Sequence, residues 1–244
     1  MITQTSSITH CAVILPVYNP AADWATVAAE QYNSFLHLLP VTDVRLVIVN
    51  DGTAGTVVQE GIQQLKTIYP DLYYLEHSIN RGKGYALRQA VAAVSASCYL
   101  LTDVDLPYKP ESMLAVYNEL QHTTTVAAGS RNAVYYQQIG NGRHLLSKLL
   151  RFSIRSMFGI SIDDTQCGLK GFTADARTVF LSCITNRYLY DLEFIVRAHK
   201  APGIRIKAVP VQLREGIELR SIAWRVLLQE IKSFITILKI RYSK

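Results

Sequence analysis

The sequence predicts an α/β domain built on one largely parallel sheet with helices on both faces. Three observations carry that expectation. Short apolar, β-prone runs alternate with stretches of helical composition through the first 128 residues. The polar residues that close those runs, Tyr18-Asn19, Asp51, Asp103 with Asp105, and Arg131, fall where parallel sheets bind ligands, beyond the carboxyl ends of strands. The chain has 244 residues, 49% hydrophobic and 18% charged, enough for one large core and too apolar for disorder.

Element by element, Cys11 to Leu15 is a short apolar run stopped by Pro16. Ala21 to Leu39 has helical composition, and Val44 to Val49 is a second apolar run ending at Asn50-Asp51-Gly52. Thr56 to Ile68 reads as a helix, Leu72 to Leu75 as a strand, and Asn80 to Gly84 as a turn. An Ala-rich helix is expected over Tyr85 to Ser97, then a strand over Cys98 to Thr102 that ends in the aspartate pair. Pro110 to Gln121 is a helix with proline near its first turn, a favoured position. Thr125 to Ala128 is a fifth strand.

The second half is less regular. Asn141 to Phe158 looks helical and basic, with Arg143, Lys148, Arg151 and Arg155. Asp163 to Gly168 is a polar loop, Gly171 to Thr173 a short strand, and Ala174 to Cys183 a helix. Tyr190 opens another helix, and Ile204 to Leu213, interrupted by Pro210, reads as an edge strand. Glu218 to Tyr242 is expected to be a long amphipathic helix. Its apolar residues, Trp224 to Leu238, follow three-to-four spacing, and Arg225, Lys232 and Lys239 recur on the other side. The organisation expected is a domain over residues 11–216 and a basic C-terminal helix over 217–244.

Charge is unevenly placed. Residues 1–200 carry 16 basic and 16 acidic side chains, whereas residues 201–244 carry 9 and 3, so the formal excess of +6 lies in the C-terminal part. A basic helix of this kind suits acidic lipid headgroups, nucleic acid or phosphorylated substrate, or is a solvated face. No apolar run approaches the roughly 18 residues of a membrane span. Met1 to His10 has neither the basic start nor the apolar stretch of a signal peptide. Cys11, Cys98, Cys167 and Cys183 lie far apart, which predicts buried free thiols and neither disulfides nor a zinc site.

Asp103 and Asp105 are the most informative residues. Positions i and i+2 of an extended segment point to the same side, so both carboxylates can meet one hard cation; a polar strand-to-loop cap is the plainer reading. Asp51 is either a hydrogen-bond acceptor for a base or ribose, or part of an Asp-Gly turn. Gly82-Lys83-Gly84 before a helix suits an anion, with glycines that let backbone approach a phosphate. Arg131 can hold a phosphate by two parallel bonds. Asp191 and Glu193 suit a general base or a sugar-hydroxyl ligand, and equally a helix cap and first-turn charge.

Four segments in this order and spacing resemble family 2 inverting glycosyltransferases of the GT-A fold. They are Val13-Ile14-Leu15-Pro16-Val17-Tyr18-Asn19, Val47-Ile48-Val49-Asn50-Asp51-Gly52-Thr53, Asn80-Arg81-Gly82-Lys83-Gly84 and Thr102-Asp103-Val104-Asp105. Asp164-Thr165-Gln166-Cys167-Gly168-Leu169-Lys170-Gly171-Phe172 is similar to the polyprenyl-phosphate branch, and Leu213-Arg214-Glu215-Gly216 to the end of that domain. The resemblance runs from Ala12 to Gly216. It implies that Pro16, Tyr18, Asn19 and Asp51 hold the base and ribose of a nucleotide sugar. Lys83 and Asp103 then lie near the ribose and diphosphate, and Asp105, with Asp103, binds Mg²⁺ or Mn²⁺. Arg131 and Arg214 would hold an acceptor phosphate, and Asp191 matches the base of relatives with hydroxyl acceptors. Asn19-Pro20, Asn50 and Pro107 depart from the common pattern.

The reaction so implied moves one sugar, with UDP-glucose the leading donor, to a polyprenyl or dolichyl phosphate with inversion. The protein would sit peripherally on the cytoplasmic face of a membrane, held by the C-terminal helix or a membrane subunit, with no nucleic-acid partner. A hydroxyl acceptor in surface polysaccharide or glycolipid synthesis is the alternative within the enzyme class. A basic lipid- or nucleic-acid-binding module is the non-enzymatic one. A sugar-1-phosphate nucleotidyltransferase would want a Gly-rich loop after the first strand, which Pro16-Val17-Tyr18-Asn19 is not.

Overall fold

The computed structural model describes residues 9–40, 43–131, 164–217, 233–240 and 242. The chain runs β1 (Thr9–Val17), α1 (Trp24–Leu36), β2 (Val44–Asp51), α2 (Thr56–Ile68), β3 (Tyr73–His77), α3 (Lys83–Ala93) and β4 (Ala96–Leu101). It continues through α4 (Pro110–Leu120), β5 (Val126–Arg131), β6 (Lys170–Thr173), a 3₁₀ turn (Ala174–Ala176), α5 (Arg177–Leu181), α6 (Tyr190–Lys200) and β7 (Ile206–Val211). Residues 233–240 are helical. The expected basic helix over 141–158 and the first part of the C-terminal helix, residues 218–232, lie outside the described residues.

One seven-stranded sheet has the order β3-β2-β1-β4-β6-β5-β7. Every pair is parallel except those of β6, which runs antiparallel to both β4 and β5. Strand periodicity sorts the apolar residues to two faces. Cys11, Val13, Leu15 and Val17 of β1 join one core with α1, α2 and α4, while Ala12 and Ile14 join the other with α3, α5 and α6. In that second core Phe172 of β6 stacks on Tyr99 and Phe180 at ring separations of 5.0 and 4.9 Å. Ile237 is fully buried there too, and Phe234 and Leu238 pack against it. The described part of the C-terminal helix therefore turns its apolar face to the protein.

Most boundaries shift by a few residues, and three of the differences have a visible cause. β1 continues through Pro16 to Val17 by pairing with β2, whereas β4 pairs with β1 only as far as Ile14. At Pro16 the strand has a ladder partner on its β2 side alone, where proline is tolerated as on an edge. α3 stops at Ala93 although the alanine-rich composition continues. Val94 is extended, and the Tyr99 hydroxyl fixes the turn by donating to the Val94 carbonyl and accepting from Ala96 N–H. The helix expected over Ala174 to Cys183 is split into the 3₁₀ turn and the single short turn-and-a-half of α5. β7 lies at the sheet edge as Pro210 predicts, and the described cysteines are buried free thiols.

Glu193 shows how α6 is placed. Its fully buried carboxylate accepts from Ile184 N–H (3.0 Å), Thr185 N–H (2.7 Å) and Arg197 Nε (2.7 Å). It holds the loop before α6, the structural one of its two sequence readings. Burial raises its pKa, but the hydrogen bonds from Thr185, Ile184 and Arg197 outweigh burial, and the group titrates below its ordinary value. A carboxyl depressed in the folded state stabilises above its unfolded pKa, and the contribution is lost as pH falls through the folded one. Glu193→Gln is expected to lower unfolding free energy by about 2 kcal/mol at neutral pH in urea titrations. The gap from wild type should begin to close as pH falls through the ordinary carboxylate range, about pH 4 to 5, and shrink further below it; a gap independent of pH would contradict the assignment.

Candidate functional site

The carboxyl ends of β1, β2, β4 and β5 share one rim of the sheet. Because β6 is antiparallel, its first residue, Lys170, reaches the same rim, in register with Leu101 of β4 and Ala128 of β5. Pro16, Tyr18, Asn19, Asp51, Asp103, Asp105, Arg131 and Lys170 are thereby drawn to one edge.

On the β1–β2 side the backbone turns sharply. Asn19 has φ 44° and donates its N–H to Thr53 Oγ1 at 2.8 Å, and the neighbouring Tyr18 is 51% exposed. Asn50 ties the following turn through Thr53 N–H (2.9 Å) and the Thr53 carbonyl (3.0 Å), so this departure from the family pattern has a structural use. Asp51 is buried, and its carboxylate accepts from Arg81 N–H (2.9 Å) and Gly82 N–H (2.7 Å). These amides precede α3, so Asp51 places a carboxylate of the protein itself at that helix N-terminus. The two glycines serve packing as well. A Cβ on Gly82 would lie 2.4 Å from the Asn186 carbonyl oxygen, and one on Gly84 2.5 Å from Tyr190 Cβ.

Between them Lys83 points at the aspartate pair, its Nζ 2.6 Å from Asp103 Oδ1. Enclosure raises the Asp103 pKa, but the charge and hydrogen bond of Lys83 lower it, aided by the charges of Lys170 and Arg131, and the net shift is downward. The other Asp103 oxygen packs on Gly168, where a Cβ would approach Oδ2 to 2.5 Å. Asp105 is exposed. The loop after it is held from β7's far end: Arg214 donates from Nη2 to the Asp105 carbonyl (2.6 Å) and from Nε to the Leu106 carbonyl (2.8 Å). Arg214 thus positions the aspartate loop. Among the described residues no cluster of three or more His, Cys, Asp or Glu side chains is arranged to hold a metal. Two oxygen donors at a strand end fit a hard dication that keeps water and takes substrate phosphate for the rest of its shell. Asp105 is the carboxylate turned to solvent, and Asp103 is the one tied to lysine.

The other side of the rim is a set of paired charges. Arg131 forks onto Asp164, Nε to Oδ2 at 2.6 Å and Nη2 to Oδ1 at 2.7 Å. Lys170, wholly inaccessible, lies 2.6 Å from Asp191 Oδ1 and donates to the Cys167 carbonyl. Tyr108 stitches the aspartate loop to this one, its hydroxyl accepting from Gly168 N–H at 3.0 Å and from the Cys167 thiol at 3.3 Å. Sequence reasoning missed Asp164, Lys170 and Tyr108 as site residues. Lys170 did leave a signal, a lysine inside the apolar run Cys167-Gly168-Leu169-Lys170-Gly171-Phe172.

The chain resembles known proteins in sequence and in fold. The chain is 27% identical over 224 residues to a dolichyl-phosphate beta-glucosyltransferase of Saccharomyces cerevisiae, covering 84% of this chain and 66% of that one. It is 26% identical over 226 residues to the dolichyl-phosphate beta-glucosyltransferase ALG5A of Trichomonas vaginalis, covering 82% and 68%. The chain thus spans about two thirds of the length of these curated relatives. Two solved structures share the fold at 16% identity. Mannosyl-3-phosphoglycerate synthase from Rubrobacter xylanophilus has a TM-score of 0.65, with 96% of this chain and 74% of that chain covered. The mannosyltransferase PcManGT from Pyrobaculum calidifontis, in complex with GDP-Man and Mn²⁺, has a TM-score of 0.61, with 94% and 65% covered. The model of glycosyl transferase family 2 matches residues 12–180, which takes in the whole rim from Pro16 to Lys170. A match of that extent settles the family: the chain belongs to glycosyl transferase family 2.

Proposed function

We propose that this protein transfers a single sugar, glucose from UDP-glucose in the first instance, to a polyprenyl phosphate such as dolichyl phosphate, with inversion. The observation that carries the reading is the gathering of three cations, Lys83, Lys170 and Arg131, whose charges all bear on Asp103, two residues before the exposed carboxylate of Asp105. A reaction between a nucleoside diphosphate sugar and a phosphate brings anion to anion, and it needs such a rim. The names of the relatives from yeast and Trichomonas vaginalis support the same acceptor.

Asp105, with Asp103, would hold Mg²⁺ or Mn²⁺, which supplies Lewis-acid neutralisation of the departing diphosphate. Lys83 keeps Asp103 ionised and in place. Tyr18, Pro16, Asn19 and the Asp51 turn form the nucleotide side. Arg131 faces the acceptor side, where a phosphate would compete with or join Asp164 at the fork. A phosphate acceptor is already an anion and needs no general base. A hydroxyl acceptor would need one, and Asp191 is buried against Lys170.

The catalytic unit on this reading is residues 11–216, with residues 217–244 a basic helix that packs on the domain and meets the cytoplasmic face of a membrane. Ile235 is 48% exposed and Lys239 is exposed, on the side of the helix away from Ile237.

Three outcomes test these statements. With UDP- and GDP-sugars screened against a short polyprenyl phosphate, transfer should require a divalent metal, and Asp105→Ala should cut kcat by at least about a hundredfold. Simple lipid binding that survives Asp105→Ala with no transfer in wild type would favour a binding module instead. Arg131→Ala should raise the acceptor KM about tenfold or more while the donor KM holds; unchanged acceptor kinetics would remove Arg131 from the acceptor site. In vesicle flotation, Lys232→Ala with Lys239→Ala should weaken binding to anionic vesicles roughly thirtyfold, at about 1 kcal/mol per lysine. Unaltered flotation would remove the C-terminal helix from the membrane contact.

A further inference from the structure

Lys170 is the least expected residue of the rim. No part of it reaches solvent, and a lysine ammonium so enclosed is tolerated only with close partners. It has two: Asp191 Oδ1 of α6 at 2.6 Å, a contact of charge, and the Cys167 carbonyl, to which it donates a hydrogen bond. The segment around Cys167 carries Asp164, which holds the Arg131 fork, and Gly168, which walls the free side of Asp103. α6 carries Tyr190, whose ring lies 5.8 Å under Lys83 Nζ. One ammonium on β6 therefore ties together the two segments that flank the aspartate pair. Sheet hydrogen bonding does not require a charge there, since the β6 ladder to β4 and β5 is made by backbone.

We propose that Lys170 is a positioning residue for sugar transfer: its ammonium commits Asp191 to a standing ion pair, so that this carboxylate holds α6 against the Cys167 loop and moves no proton. The proposal rests on the phosphate-acceptor reading above. In that reaction an acceptor phosphate oxygen forms a bond to the anomeric carbon as the bond from that carbon to the β-phosphate oxygen breaks. The electron pair leaves with the nucleoside diphosphate, and no proton is transferred. Asp191 then has no chemical step to perform, and its place beside Lys170 is accounted for by electrostatics alone.

A double-mutant cycle separates holding from proton transfer. Wild type, Lys170→Met, Asp191→Asn and the double variant are assayed with UDP-glucose and a short polyprenyl phosphate, with Lys170→Arg as the conservative control. Each single variant leaves one buried charge unpaired and should lower kcat by about tenfold or more, with the donor KM changed less than about threefold. The double variant removes both charges and should be about tenfold faster than Asp191→Asn, while Lys170→Arg should stay within about tenfold of wild type. A double variant as slow as Asp191→Asn, or slower, overturns the proposal, since that is the behaviour of a carboxylate that takes a proton. Should wild type glucosylate only a hydroxyl acceptor, the acceptor reading fails by itself, and the same cycle run on that acceptor still decides the role of Asp191. Melting temperatures of the four proteins need no substrate. The double should melt above both singles, and a double that melts below either contradicts the pairing.

Discussion

The reversed direction of β6 is the constraint on which the rim depends. Were this strand parallel to its neighbours, Thr173 would stand between the ends of β4 and β5. Antiparallel insertion puts Lys170 there instead, level with Leu101 and Ala128, two residues before Asp103 and three before Arg131. It also makes the approach to β6, residues 164–169, cross the rim. The loop that supplies Asp164 to Arg131 and Gly168 to Asp103 is thus a direct product of strand topology. Phe172, two residues inside, anchors that insertion in the aromatic stack of the second core.

Charge alternation follows from crowding these groups at low exposure. Lys83 pairs with Asp103, Lys170 with Asp191, and Arg131 with Asp164. Each cation is half-buried or buried, and each is fixed by its own carboxylate, so their field is set before any substrate arrives. Preorganised charge of this kind is effective where negative charge develops in a transition state. The exposed members, Tyr18 and Asp105, lie at its outer side. The inner members are held by close backbone approach at Gly84 and Gly168, positions where a Cβ would collide with Tyr190 or Asp103.

Most of the fold and the outline of the site were legible in the sequence. Strand ends punctuated by Asn50-Asp51-Gly52, Thr102-Asp103 and Gly129-Ser130-Arg131 located the rim, and Pro210 located the edge strand. What stayed hidden was who pairs with whom. Asp51 looked like a ligand contact and also holds the two amides before α3, because the distance from β2 to the start of α3 is a property of the packed sheet. The glycines at 82 and 84 looked like a phosphate cradle and admit the Asn186-to-Tyr190 loop, a contact between segments a hundred residues apart. Arg214, read as a phosphate ligand, also braces the aspartate loop through the Asp105 and Leu106 carbonyls. Pairing across such separations is set by topology, and local composition carries no record of it. Lys170 was visible as an anomaly in an apolar run, and only the antiparallel register gives it a purpose.

The central claim is that this rim serves an acceptor that is itself a phosphate. The most direct measurement is the linkage in the product formed from UDP-glucose, a divalent metal and an equal mixture of polyprenyl phosphate and polyprenyl alcohol, read by phosphorus and proton NMR. The account predicts a glucosyl phosphodiester of β configuration and no glucoside of the alcohol. Glucose linked to the alcohol oxygen, with the polyprenyl phosphate left unchanged, would contradict it.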